Sequence, residues 1–275
     1  MKIDKIYIIS LDSHKEKMQS ETIEKLQRLN LASKTGYEIY PAWNGHKEGL
    51  PEGYAAYSKW NLGEDNWNDW WKRDVLPGEI GCMVSHIKLW ERIVSEGLQK
   101  TLILEDDFNP HGNISLLEEP KTFYDIAYLG RWKINKDAPE VSLGGSWVEP
   151  TASYCTHAYV ITLEGAKKLL NSYKIKQNII PADEFMLATY SEHRRKDIGL
   201  LFPPKLKAIA VAKQDFIGQS RPQEESTIET DPTKNPNLMK NQVEQKNKIE
   251  EQPYFEILDT VDWAAWKAKY VNPSM

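Results

Sequence analysis

The alternation of apolar and polar positions divides the chain into strands and helices in a regular order. Lys5 to Leu11 is an unbroken β-branched and aromatic run without a turn residue and predicts a buried strand. Met18, Thr22, Leu26 and Leu29 then recur at helical spacing. Tyr37 to Ala42 reads as a second strand, and Trp43-Asn44-Gly45 turns the chain. Strand, helix and strand in this order predict a parallel βαβ start. Residues 45–74, rich in Trp, Asn, Gly and Asp, read as a loop excursion. Pro77-Gly78 opens a clear helix with Ile80, Met83, Val84, Ile87, Trp90 and Val94 on one face and Gly97 as its C-terminal cap.

Further strands are predicted at Thr101 to Leu104, Asp125 to Leu129, Tyr154 to Ile161 and Lys207 to Ala212. A helix runs from Leu163 to Tyr173 with Thr162 as its N-cap, and another begins at Pro181-Ala182-Asp183-Glu184. Ala138 to Pro150 reads as a flexible loop. From Thr230 to Gln252 the chain is almost entirely polar and reads as a linker or solvated helix; Trp263, Trp266 and Tyr270 beyond it form an aromatic stripe at helical spacing. The expected organisation is an α/β domain over residues 1–230, with a mostly parallel central sheet flanked by helices, and an extension over 231–275.

Composition narrows the class. The 275 residues are 40% hydrophobic and 27% charged, as in a globular domain, and the net charge of -5 points to neither nucleic acid nor an anionic membrane as the main partner. No stretch approaches the ~20 apolar residues of a membrane span. Two cysteines, Cys82 and Cys155, exclude a disulfide framework, so a reducing, cytoplasmic setting is expected.

The strongest chemical signal is Glu105-Asp106-Asp107 at the end of the strand Leu102-Ile103-Leu104. Ligands of open α/β sheets sit at the carboxyl ends of strands. Three adjacent carboxylates repel one another, and a hard divalent cation offsets that repulsion and bridges to phosphates. A solvated acidic turn is the plain alternative. Asp107 is the first choice as a ligand and Glu105 the second, with Asp106 directed at ribose or sugar hydroxyls. The acidic triplet is shared with receiver domains, but these need a phosphoacceptor Asp on a later strand, and Thr151 to Cys155 offers none.

Taken in order, the motifs resemble glycosyltransferase family 25, which includes the lipooligosaccharide and procollagen galactosyltransferases. Ile6 to Leu11 matches the opening strand, and Pro77-Gly78-Glu79-Ile80-Gly81-Cys82-Met83-Val84-Ser85-His86 the following helix. Leu104 to Asp107, Ala127-Tyr128-Leu129-Gly130, Tyr154 to Ile161 with Gly165 to Leu169, and Pro181 to Phe185 complete the series. The resemblance implies a GT-A fold, a UDP-hexose donor (UDP-galactose or UDP-glucose), a divalent cation, commonly Mn2+, and inversion at the anomeric carbon. The acceptor would be a glycan or a hydroxylysine-like protein side chain.

On this resemblance Ile9, Ser10, Leu11, Ser85, His86, Asp106 and Arg131 are candidates for donor contact. Asp183 or Glu184 is the candidate general base, with helix capping as the structural alternative. The arginines that follow the family's opening strand are replaced by Asp12, Ser13, His14 and Lys17, and the late family histidine by Val211-Ala212-Lys213-Gln214-Asp215. Asp215 or Gln214 would then stand in for it, with Asp215 the candidate third metal ligand. The missing arginines also keep open a catalytically inactive nucleotide-sugar or carbohydrate-binding module of the same fold.

Overall fold

A computed structural model describes residues 1–31, 36–66 and 68–219. The extension over 231–275, with its aromatic stripe, lies outside the described residues. The elements are β1 (Lys5–Ser10), α1 (Lys15–Arg28), β2 (Tyr37–Pro41), α2 (Gly45–Glu48), α3 (Pro77–Glu96), β3 (Lys100–Glu105), β4 (Phe108–Pro110), β5 (Ile126–Lys133), β6 (Val141–Gly144), β7 (Trp147–Glu149), β8 (Ser153–Thr162), α4 (Leu163–Leu170), α5 (Ala182–Tyr190), α6 (Lys196–Leu201), β9 (Ala208–Val211) and β10 (Ile217–Gln219).

Eight strands form one sheet in the order β2-β1-β3-β8-β5-β9-β7-β6, and β10 pairs with β4 beside it. β8 and β7 run against the remaining strands, so the sheet is mixed but mostly parallel. The βαβ start is present, with β1 parallel to β2. Side-chain alternation sends each central strand into two cores. Tyr7, Ile9, Ile103, Tyr159 and Ile161 pack with α3, α4 and α5 on one face. Ile6, Ile8, Leu102, Leu104, Ala158 and Val160 pack with Met18, Leu26 and Leu29 of α1 on the other.

The helix ends follow their local chemistry. α3 starts on Pro77, its Glu79 side chain accepts from the Leu76 N–H at 2.7 Å, and Gly97 closes it in the left-handed region at φ 66°. Thr162 caps α4 by accepting from the Gly165 N–H at 3.0 Å. Gly81 lies where the backbone of Trp43 and Gly45 crosses α3; a Cβ there would stand 2.6 Å from the Trp43 carbonyl oxygen.

One expectation fails. Residues 138–150 contain the β6–β7 hairpin rather than a flexible loop. Gly144 and Gly145, at φ 92° and 58°, make the turn. Trp147 and Val148 are buried and pair with β9, so tertiary contact supplies the order that the local sequence does not. Among the described residues no helix is long and apolar enough to cross a membrane.

Candidate functional site

The carboxyl ends of β1 and β3 and the start of β8 meet at one sheet edge, with Ile9 beside Glu105 and Leu104 beside Ala158. Glu105 ends β3 there. Its Oε1 accepts from the Thr156 hydroxyl at 2.7 Å and lies 3.3 Å from His86 Nε2. His86 Nδ1 is 2.8 Å from the Tyr159 hydroxyl, which also accepts from the Trp90 indole N–H at 2.9 Å. Burial alone would raise the Glu105 carboxyl; the hydrogen bonds from His86 and Thr156 and the nearby imidazoles more than offset it, and the carboxyl titrates below its usual range.

The other two carboxylates of the triplet turn to different partners. Asp106 Oδ2 accepts from the Ser10 hydroxyl at 2.9 Å and meets His14 Nδ1 at 2.7 Å. Asp107 Oδ2 accepts from the Gln219 amide at 3.2 Å. The strand thus delivers three carboxylates to one edge and aims each differently.

Asp183 and Glu184 open α5 and are separated by their surroundings. Burial, the charge on Glu105 and, to a smaller extent, Glu184 push the Asp183 carboxyl up to about 7, against a hydrogen bond from the Cys155 backbone. Cys155 sits at φ 84° within β8, near the register shift between Gly130 and Trp132 of β5. A non-glycine residue held there costs on the order of 1–3 kcal/mol, which the surrounding sheet must offset. Glu184 is engaged through both oxygens: Tyr154 donates to Oε1 at 3.3 Å, and His193 Nε2 lies 2.5 Å from Oε2. The His193 Nδ1 lies 3.0 Å from the Arg195 nitrogen and 3.3 Å from the Arg195 carbonyl oxygen, so the ring is held from both sides.

Other candidates lie elsewhere or are already committed. The Ser85 hydroxyl donates to the Gly81 carbonyl at 2.6 Å and accepts from the Trp43 N–H at 2.8 Å, so it pins the β2–α2 turn to α3. Arg131 is 5% exposed and forms a two-pronged ion pair with Glu140, both contacts 2.7 Å, plus a bond to Ser153 Oγ. It ties β5 to the segment that leads into the β6–β7 hairpin. Asp215 is exposed at the far end of the β4–β10 pair, where its carboxylate lies 3.5 Å from His111 Nδ1. From this segment it is Gln219 that reaches Asp107. Ile9 is buried in the core and Leu11 half-buried, leaving Ser10 as the member of β1 with a polar contact at the site.

Residues 3–142 match the family described as "Glycosyltransferase family 25 (LPS biosynthesis protein)", just over half of the 275 residues. The chain belongs to glycosyltransferase family 25. It is 36% identical over 143 residues to a Danio rerio protein named procollagen galactosyltransferase 1, covering 48% of this chain and 24% of that protein. It is 31% identical over 229 residues to a glycosyltransferase 25 family member of Drosophila pseudoobscura pseudoobscura, covering 79% of this chain and 33% of that one. A Bos taurus protein named probable inactive glycosyltransferase 25 family member 3 is 34% identical over 142 residues, 48% of this chain and 24% of the relative. The chain therefore spans about a quarter to a third of the length of these relatives.

Several residues of this candidate site were not singled out by their sequence: Thr156, Tyr159, Trp90, Tyr154, His193 and Gln219. A sequence signal did exist for a further neighbour, Cys82. Cys82 and His86 are spaced i, i+4, so they share one face of α3. Cys82 Sγ, a His86 ring nitrogen and a Glu105 oxygen lie within 4.8 Å of one another. Cys82 is accordingly a neighbour of His86 and Glu105. Burial and the charges on Glu105 and Asp183 push its thiol well up.

Proposed function

We propose that this chain is a metal-dependent, inverting glycosyltransferase of GT-A type that moves a hexose, galactose or glucose, from a UDP-sugar to a hydroxyl of a glycan or a hydroxylysine-like protein side chain. The observation that carries the reading is the divergence of two neighbouring carboxyls at the sheet edge. Glu105 is held ionised, while Asp183 is pushed up to about 7. Carboxyls whose surroundings separate them in this way take different chemical roles. A base near neutrality suits removal of a proton from an acceptor hydroxyl. Glu184 is the weaker candidate for that proton, because Tyr154 and His193 occupy both of its oxygens. It would instead fix the start of α5 and add to the charge that raises Asp183.

The residues fit a hard divalent cation. Oxygen donors suit Mn2+ or Mg2+. Both hydrogen bonds to Glu105 fall on Oε1, so Oε2 is left for a ligand, and the side chain keeps 16% exposure. Asp107 and Glu105 would hold the ion. Asp106, steadied by Ser10 and His14, would direct its carboxylate at ribose or sugar hydroxyls. When bound, the cation supplies positive charge for the leaving diphosphate. Inversion follows if Asp183 takes the acceptor proton while the hydroxyl oxygen attacks from the side opposite the leaving group.

One finding favours a second reading, a nucleotide-sugar-binding module without turnover: a relative of comparable identity is named probable inactive. Calorimetry of UDP with Mn2+ and in chelator, joined to UDP release from UDP-galactose and UDP-glucose, separates the possibilities. Cation-dependent binding with UDP release is expected, and Asp107→Asn should lose the binding while staying folded. Binding without release in the presence of acceptors would establish the module; equal affinity in chelator would remove the metal role.

A further inference from the structure

The polar groups behind Glu105 permit one arrangement of hydrogens. The Trp90 indole can only donate, so the Tyr159 oxygen accepts from it at 2.9 Å. Tyr159 is fully buried, and its hydroxyl lies 2.8 Å from His86 Nδ1. Donating its single hydrogen to Nδ1 satisfies both groups. The ring hydrogen of His86 is then on Nε2, facing the Glu105 carboxylate, which in its ionised form has none to give. In the reverse arrangement Nδ1–H would point at a phenol oxygen already accepting from Trp90. The phenol hydrogen would be left without a partner in a buried site, at a cost of about 1–3 kcal/mol. Every hydrogen in the series Trp90, Tyr159, His86 is thus directed toward Glu105, and the Thr156 hydroxyl approaches the same oxygen from β8 at 2.7 Å.

We propose that Tyr159, held by Trp90, is a positioning residue that fixes His86 as the Nε2–H tautomer and through it aims the Glu105 carboxylate. His86, 1% exposed, therefore serves the site from behind the carboxylate and does not face the nucleotide. The arrangement also bears on the cluster of Cys82, His86 and Glu105. A thiolate, an imidazole and a carboxylate would suit a softer ion such as Zn2+. With its hydrogen on Nε2, His86 offers no lone pair toward that cluster, so it acts as a donor and not as a metal ligand. The consequence for donor binding rests on the function proposed above; the tautomer does not.

The test reads the two parts separately. In the metal-free, 15N-labelled protein, long-range proton–nitrogen correlations, assigned with a His86 variant and followed across pH, should show that the neutral form of the His86 ring carries its hydrogen on Nε2. Tyr159→Phe should mix or reverse the tautomer and weaken Mn2+-dependent UDP binding about tenfold, the scale of one hydrogen bond to a charged group. Because Tyr159 is buried, a second pair of variants guards against misfolding. His86→Gln keeps an amide donor near the Nε2 position and should bind Mn2+ and UDP within about threefold of the parent, whereas His86→Leu should lose about tenfold. An Nδ1–H ring in the parent, or equal binding by His86→Gln and His86→Leu, overturns the proposal. So does a thiolate-to-cobalt charge-transfer band that appears with Co2+ and is lost in Cys82→Ser. A parent with the Nε2–H ring but no cation-dependent UDP binding would instead sink the proposed function and leave the tautomer assignment standing.

Discussion

Replacing Asp183 with Asn should stabilise the protein at pH 8 while removing most of its turnover. The ordinary Asp value is 3.8, and burial with the charge on Glu105 pushes Asp183 up to about 7. Between these values the folded protein holds a proton that the unfolded chain has released. Stability therefore falls as pH rises from about 4 to about 7 and stays at its lower level above that window. A separation of about 3 pH units at about 1.36 kcal/mol each gives on the order of 4 kcal/mol as an upper bound. Asp183 is only half-buried, and relaxation around a charge recovers part of the penalty, so roughly 2 kcal/mol should be measurable. Asn removes the ionisation and can still accept from the Cys155 N–H. Its advantage should be near zero at pH 4.5 and reach about 2 kcal/mol at pH 8, a shift of roughly 4–8 °C in Tm for a domain of this size. Thermal unfolding in chelator across this range is the assay. An advantage that does not grow with pH, or a loss of stability at pH 8, would refute the assigned electrostatics. In the same variant turnover should drop by roughly 10²–10⁴-fold with UDP affinity nearly intact. Parental turnover should rise with pH through a limb at or below about 7, since the base must be unprotonated.

Glu184→Gln should retain most of the UDP affinity and lose less turnover than Asp183→Asn, because Gln keeps one oxygen to accept from His193 and its amide can donate to the Tyr154 hydroxyl oxygen; steady-state kinetics of the two variants decides their order. Arg131→Met should destabilise by about 1–3 kcal/mol, since it removes the ion-pair partner of the part-buried Glu140 carboxylate, which keeps only its hydrogen bonds from Thr151. Donor affinity of the folded fraction should be unchanged, and a selective loss of UDP binding without loss of stability would instead make Arg131 a donor contact.

The site was legible in part because some of its signals are local. An acidic triplet on an apolar strand is visible as a string of residues, and Asp183-Glu184 after Pro181 can be read as the start of a helix. The roles of these groups were not legible, because they depend on partners far along the chain. Glu105 and Thr156 are 51 positions apart, and Glu105 and His86 are 19 apart on different elements. The Arg131–Glu140 pair was not legible either, because the hairpin next to it was hidden by the polar, glycine-rich composition of residues 138–150.

The sequence by itself determined the βαβ start, the long helix α3 with its proline and glycine ends, the apolar strand that carries the carboxylates, and the family. Each of these is encoded by side-chain periodicity, by capping residues within a turn of one another, or by short motifs in order. Only the tertiary structure decided that β8 inserts antiparallel between β3 and β5, bringing Thr156 and Tyr159 behind Glu105. It also decided which carboxyl stays ionised and which is raised. A strand's neighbours are chosen by the packing of whole faces, and the affinity of a carboxyl for its proton is set by the charges and hydrogen bonds around it in space, neither of which is carried by adjacent residues.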